Sequence, residues 1–164
     1  SGKVKKKKRS LPPGDSFSRT DLILTLPQLI QENYPLPIPS TALSKFKFEV
    51  TSDKYSPVNP QSKMFSIDCE MCVTKSDPQA LTRIGIVDED LVTVYDSLVK
   101  PDEEITDYLT RWSGITRDML VGVETTLGDV QGKIKELVAE YPDCVFVGQS
   151  LNCDLKAIRV RGLK

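Results

Sequence analysis

Two acids, Asp68 and Glu70, stand two positions apart in the run Met64-Phe65-Ser66-Ile67-Asp68-Cys69-Glu70-Met71-Cys72. On an extended strand, residues i and i+2 project from the same face, so these carboxylates sit side by side on an otherwise apolar strand. Such a pair is costly unless something cationic joins it. A divalent ion held by oxygen ligands is the economical answer. Taken alone, the pair is more often the polar alternation of a surface strand. Asp154 supplies a third carboxylate, four residues beyond Ser150 and directly after the apolar run Cys144-Val145-Phe146-Val147. A helix N-terminus favours an ionised acid, and the end of a parallel strand is where α/β sheets place their sites. An Asp that only complements a helix dipole is the plainer account of that one residue. Three acids delivered to one sheet edge are harder to dismiss.

The elements that must position them can be read from period and punctuation. Strand-like runs cover Met64–Glu70, Leu81–Asp88 and Leu91–Lys100, the last two separated by Asp88, Glu89 and Asp90 closely enough for a hairpin. Three consecutive antiparallel strands are expected. After Pro101 the pattern turns to loop and short helix through Asp107–Leu120, with Thr116 as a cap. Thr126 and Asp129 form a capping box for a helix in which Leu127, Val130, Ile134, Leu137 and Val138 recur at helical spacing. Pro142 ends that region. The wholly apolar run 144–147 reads as a buried parallel strand, and Ser150 is expected to cap a last helix bearing Leu151, Leu155 and Ile158 on one face. This order predicts an α/β sheet domain over residues 64–164.

Ahead of it, residues 1–20 carry Lys3, Lys5, Lys6, Lys7, Lys8 and Arg9, then Pro12-Pro13-Gly14 and several serines, the make-up of a disordered tail. The run Lys5–Arg9 suits nuclear import or attraction of nucleic acid, or is a solvated tail with no specific reader. Residues 21–33 suggest one amphipathic helix capped by Thr20 or Asp21 and shortened or kinked by Pro27, and residues 38–63 an extended connector.

The 164 residues are 39% hydrophobic and 27% charged, enough for one globular domain with a tail. Beyond the first nine residues the chain has 16 cations against 23 acids, so an acidic body needs cations to approach a polyanion. No apolar run approaches the roughly 20 residues that span a bilayer, and the expectation is an intracellular protein with no membrane partner. Cys69 and Cys72 form a C-x-x-C, but Cys144 and Cys153 are not so spaced and the chain has no histidine, so buried thiols are favoured over zinc.

Ile67-Asp68-Cys69-Glu70-Met71 resembles the first motif of the DEDD 3′–5′ exonuclease superfamily, and Gly148-Gln149-Ser150-Leu151-Asn152-Cys153-Asp154-Leu155 resembles its second. Leu81-Thr82-Arg83-Ile84-Gly85-Ile86-Val87-Asp88 is similar to the second strand. Val94–Pro101, then Ile105–Tyr108 and Thr110–Thr116, are similar to the segments leading to the substrate channel. The likeness is closest to the RNA-exonuclease branch, related to the Rex and interferon-stimulated exonucleases, and Tyr34-Pro35-Leu36-Pro37 and Tyr55-Ser56-Pro57-Val58 resemble segments just upstream of that domain. The resemblance implies a ribonuclease-H-like fold, with a mixed five-stranded sheet whose first three strands are antiparallel.

It also implies two divalent ions, Mg²⁺ or Mn²⁺, with Asp68 and Glu70 holding the one that activates water. Asp68 would bridge to a second ion near the leaving oxygen, supported by Asp154. Met71 would line the pocket for the terminal nucleoside, or be ordinary core. Trp112, beside Ser113 in the substrate loop, would stack on a base or, as the favoured reading, anchor the loop. Thr82 and Arg83 read as packing or strand-pairing residues. The implied partner is the single-stranded 3′ end of RNA, with DNA as the other substrate, in the nucleus or more narrowly the nucleolus.

The same resemblance calls for a later H-x-x-x-x-D segment. This chain has no histidine, Tyr141 lies ahead of the second motif, and Gln149 stands where many relatives carry histidine. The expectation is therefore a domain incomplete at its C-terminus, lacking the fifth strand and a helix. Without the general base, its rate is expected to fall by about 10²–10⁴-fold. The competing expectation is a shortened chain acting as a non-catalytic RNA- or protein-binding module.

Overall fold

The computed structural model describes residues 18–36 and 46–163, so the run Lys5–Arg9 and part of the connector lie outside the described residues. The first described turn, a 3₁₀ segment over Arg19–Leu22, is capped by Ser18. Ser18–Thr20, expected in the tail, are thus part of the folded unit. The single helix expected over 21–33 is also not formed. Pro27 sits in the first turn of a separate short helix, α1 (Leu26–Gln31), where a missing N–H costs nothing, and Thr25 with Gln28 forms its capping box. Proline here starts a helix instead of kinking one.

β1 (Glu49–Val50) lies in the expected connector and pairs in parallel with the last strand of the chain. β2 (Met64–Thr74), β3 (Ala80–Asp88) and β4 (Thr93–Leu98) form the predicted consecutive antiparallel strands. β5 (Ile105–Asp107) pairs antiparallel with the far end of β2, where loop was expected. Three residues are too short for a period-2 pattern to be visible, so this strand exists only through its partner. A short helix, α2 (Thr110–Ser113), and a 3₁₀ turn over Asp118–Leu120 follow.

α3 (Leu127–Glu140) has the predicted capping box of Thr126 and Asp129 and buries Val130, Ile134, Leu137 and Val138. β6 (Val145–Val147) adds in parallel to the start of β2, as the apolar run suggested. α4 (Leu151–Ile158) then buries Leu151, Leu155 and Ile158, and β7 (Val160–Arg161) closes the pair with β1. Ser150 precedes α4 as predicted, but its hydroxyl does not cap. It adopts a left-handed conformation (φ 56°), and its role is carried by its carbonyl, which accepts from Cys153 N at 2.7 Å.

The result is a mixed five-stranded sheet ordered β4-β3-β2-β5 with β6 also on β2; it reaches five strands, where one was expected to be missing, because Ile105–Asp107 pairs with the extended end of β2. Phe65, Ile67, Cys69, Ile84 and Ile86 turn to the helices, and with Val130, Ile134, Leu155 and Ile158 they make one continuous core. All four cysteines are free, three of them buried. On the outer side of β6, the N-terminal segment encloses an apolar cavity of about 350 Å³ between Leu24, Leu29 and Tyr34 and the residues Phe146, Leu151 and Leu155. Among the described residues no helix is long and apolar enough to cross a membrane.

Candidate active site

β2 changes partners along the side that faces away from β3. Met64–Ser66 pair with β6, and Val73–Thr74 pair with β5. Over the residues between, no described strand lies on that side, and the start of α4 fills the gap. The Cys69 N–H, which a neighbouring strand would have received, donates instead to Asp154 Oδ1 at 3.1 Å. Close passage of the chain depends on Gly148, where a Cβ would lie 2.8 Å from the Ile67 carbonyl oxygen. The strand-to-helix junction therefore delivers Asp154 to the stretch of β2 that carries Asp68 and Glu70.

Asp68 is exposed, Glu70 half-buried and Asp154 buried. Burial, and next the negative charge of Asp68, push the Asp154 carboxyl up to about 6. The same two causes, in the same order, raise Glu70 above the ordinary carboxylate range. Arg83 lies directly across the ladder from Glu70 and opposes that rise, but its guanidinium is already held by Asp96 through two bonds of 2.9 and 2.7 Å. Burial also raises the Cys69 thiol, with help from Asp154 and Asp68, so it is not a thiolate. The charge of Asp68 thus raises the proton affinity of both Glu70 and Asp154.

Among the described residues, no three His, Cys, Asp or Glu side chains converge tightly enough to hold an ion by themselves. Asp154 faces the Cys69 amide, and like charges have no reason to close up without a cation. The donor set nevertheless fits a hard divalent ion. It is all oxygen, and Mg²⁺ is commonly held by one or two carboxylates with water and substrate phosphate completing the shell.

The other residues singled out from the sequence lie as follows. Met71 is half-buried against the core, next to the acid pair. Trp112 is 78% exposed, with the Arg111 guanidinium 5.1 Å from its ring centroid, so it does not anchor its loop by burial. The loop is held by Ile115, which is buried, and by the Ser113 hydroxyl, which donates to Tyr108 O at 2.9 Å and accepts from Ile115 N at 3.1 Å. Sequence reasoning missed the Cys69 amide as the contact that seats Asp154. It also gave Arg83 no part beside Glu70, because a regular register continued from Cys72–Ala80 and Met71–Leu81 would put Thr82 there, and only a bulge brings Arg83 opposite.

The Exonuclease (RNase_T) family model matches residues 65–160, which include both acid-bearing motifs and the strand between them. The chain belongs to this exonuclease family. It is 50% identical over 103 residues to RNA exonuclease 5 of Bos taurus, covering 63% of this chain and 13% of that protein. It is 34% identical over 156 residues to RNA exonuclease 1 of Saccharomyces cerevisiae, covering 94% of this chain and 27% of that protein. The chain therefore spans little more than a quarter, at most, of either relative. Among solved structures, the exonuclease fold is similar to the Saccharomyces cerevisiae Pan2 pseudoubiquitin hydrolase–RNA exonuclease module in complex with A7 RNA. That match has 27% identity and a TM-score of 0.52, covering 74% of this chain and 22% of that one. The expected ribonuclease-H-like sheet is thus the fold of this exonuclease domain.

Proposed function

We propose that this domain removes nucleotides from the 3′ end of single-stranded RNA by phosphodiester hydrolysis, as a trimming activity of the nucleus. The observation that carries the reading is the trio Asp68, Glu70 and Asp154 on one stretch of β2 and the helix start beside it, with the charge of Asp68 acting on both other acids, in a chain of the exonuclease family. Asp68 and Glu70 would hold one divalent ion, and Asp68 with Asp154 a second. When bound, such ions supply the positive charge that neutralises the attacking and departing oxygens of an in-line displacement at phosphorus.

The chain's own residues bind and orient. The Cys69 amide donates to Asp154 Oδ1 and so seats that carboxylate beside the stretch of β2 that carries the acid pair. Met71 offers an apolar surface next to the acids for the terminal nucleoside. The exposed Trp112, on a loop stiffened by Ser113, offers a face on which a base can stack. RNA is favoured over DNA because relatives are named RNA exonucleases and the solved Pan2 module holds A7 RNA. The run Lys5–Arg9 would draw a polyanion toward an otherwise acidic body or direct nuclear import. Fusing residues 1–20 to a fluorescent protein tests the import role, and a cytosolic distribution would count against it.

A second reading is favoured by one observation: these 164 residues contain no histidine, hence no imidazole to take a proton from water. In that reading the domain binds RNA without cutting it. Incubating the chain with 5′-labelled single-stranded RNA or DNA and Mg²⁺ separates the two. Progressive shortening of RNA, abolished by Asp68→Ala, supports hydrolysis from the 3′ end. Shortening that survives Asp68→Ala would sink the metal assignment, and retention of intact RNA would favour the binding module.

A further inference from the structure

Glu70 lies at a break in the β2–β3 ladder. It pairs with Arg83, but the next residue, Met71, pairs with Leu81, so Thr82 is an extra residue on β3 with no partner opposite. Such bulges increase local twist and re-aim nearby side chains, and they recur next to active sites. A bulge also loosens the backbone restraint that a regular ladder imposes. At this one, the restraint is restored by a side chain. Thr82 has no exposed surface, and its hydroxyl donates to the Glu70 carbonyl oxygen at 2.9 Å. Its own carbonyl accepts from Val99 N at 2.8 Å, which ties the bulge to the chain just beyond β4.

From these contacts we infer that Thr82 is a positioning residue for Glu70: its buried hydroxyl fixes the Glu70 backbone at the bulge and thereby the direction in which the Glu70 carboxylate meets a divalent cation. The inference rests on the proposed role of Glu70 as a ligand. A hydroxyl that merely fills the core would matter for stability alone. A hydroxyl that aims Glu70 matters for cation affinity beyond any change in stability, as groups that orient ligands generally do.

The test is calorimetric titration of Mn²⁺ into the 164-residue chain and its Thr82→Ser, Thr82→Ala, Thr82→Val and Glu70→Gln variants at neutral pH, with a melting temperature for each. Ser and Ala both lack the methyl group and differ only in the hydroxyl. Thr82→Ser is expected to bind Mn²⁺ like the unaltered chain, and Thr82→Ala about 10-fold more weakly. Equal affinities for those two variants would overturn the inference. Should the methyl prove essential for folding, Thr82→Val keeps the shape and removes only the hydroxyl. Weakened binding by that variant supports the role of Thr82, and unchanged binding refutes it. Glu70→Gln separates this inference from its foundation: if it binds Mn²⁺ as well as the unaltered chain, or if the unaltered chain binds none, the metal reading itself fails.

Discussion

The two halves of β2 lead to two buried aspartates with opposite surroundings. Beyond its C-terminal end, Asp77 accepts from the Arg159 guanidinium at 2.8 Å and from Gln79 N at 2.9 Å, while Thr74 N donates to the Asp77 carbonyl oxygen and Asp77 N to the Thr74 hydroxyl. Arg159 in turn lies 4.0 Å from the Phe46 ring centroid. That carboxylate is matched by a fixed cation and holds loops together. Near the middle of the strand, Asp154 is as buried as Asp77, yet the charge acting on it is that of another acid, Asp68, and it receives the Cys69 N–H. A buried acid with its own arginine is structure. A buried acid among other acids is a site that a mobile cation can complete.

This contrast fails most visibly if Asp154→Asn leaves cation binding intact. Calorimetry should instead show Mn²⁺ affinity falling by more than about 100-fold, beyond the loss typical of groups that only orient ligands. The metal-free variant should melt no lower than the unaltered protein, since a destabilised charge has been removed. Asp77→Ala should do the reverse. Leaving Arg159 without its acid is expected to cost about 2–3 kcal/mol in urea unfolding, at the low end for a broken buried pair because Arg159 is partly exposed. Its Mn²⁺ affinity should be unchanged, and a joint loss of both would erase the distinction between the two clusters.

pH sharpens the same comparison. The folded-state proton affinity of Asp154 is raised, to about 6, above that of an ordinary aspartate. The folded domain therefore holds a proton that the unfolded chain has released. The stabilisation is full below about pH 4 and fades as pH rises through 6. Glu70 acts with the same sign, and with no histidine in the chain no imidazole titrates in this window. Metal-free protein should lose about 1 kcal/mol between pH 5 and pH 7, and Asp154→Asn should flatten much of that slope. The smallest effect belongs to Arg83→Met. Its exposed pair with Asp96 contributes less than about 1 kcal/mol, so urea unfolding should barely move. Removing a positive charge beside Glu70 should tighten Mn²⁺ binding by about twofold.

Much of the fold was legible before any coordinates. β2, the β3–β4 hairpin, β6 and the boxed start of α3 follow from alternation, a turn, an apolar run and two capping residues, all of them signals local in the chain. What was not legible depended on partners distant in sequence. β5 exists because β2 extends far enough to pair with it, and β1 because β7 returns beside it. Pro27 suggests a shortened or kinked helix from the sequence because the sequence does not say which turn of a helix a proline occupies. At the site, the types and order of Asp68, Glu70 and Asp154 were visible, whereas the contacts of Trp112 and Ser113 were not, since loop side chains answer to packing and carry no period.

By itself, then, the sequence determined that Asp68 and Glu70 share one strand face and that Asp154 opens the helix after a buried strand, because strand and helix periods are properties of the local backbone. Only the tertiary structure decided that Asp154 is seated on the stretch of β2 that carries the other two. Among the described residues, β6 and β5 leave the middle of β2 without a strand on one side, and the Cys69 N–H must find another acceptor. The carboxylate of Asp154, carried past Gly148, is the acceptor that reaches it.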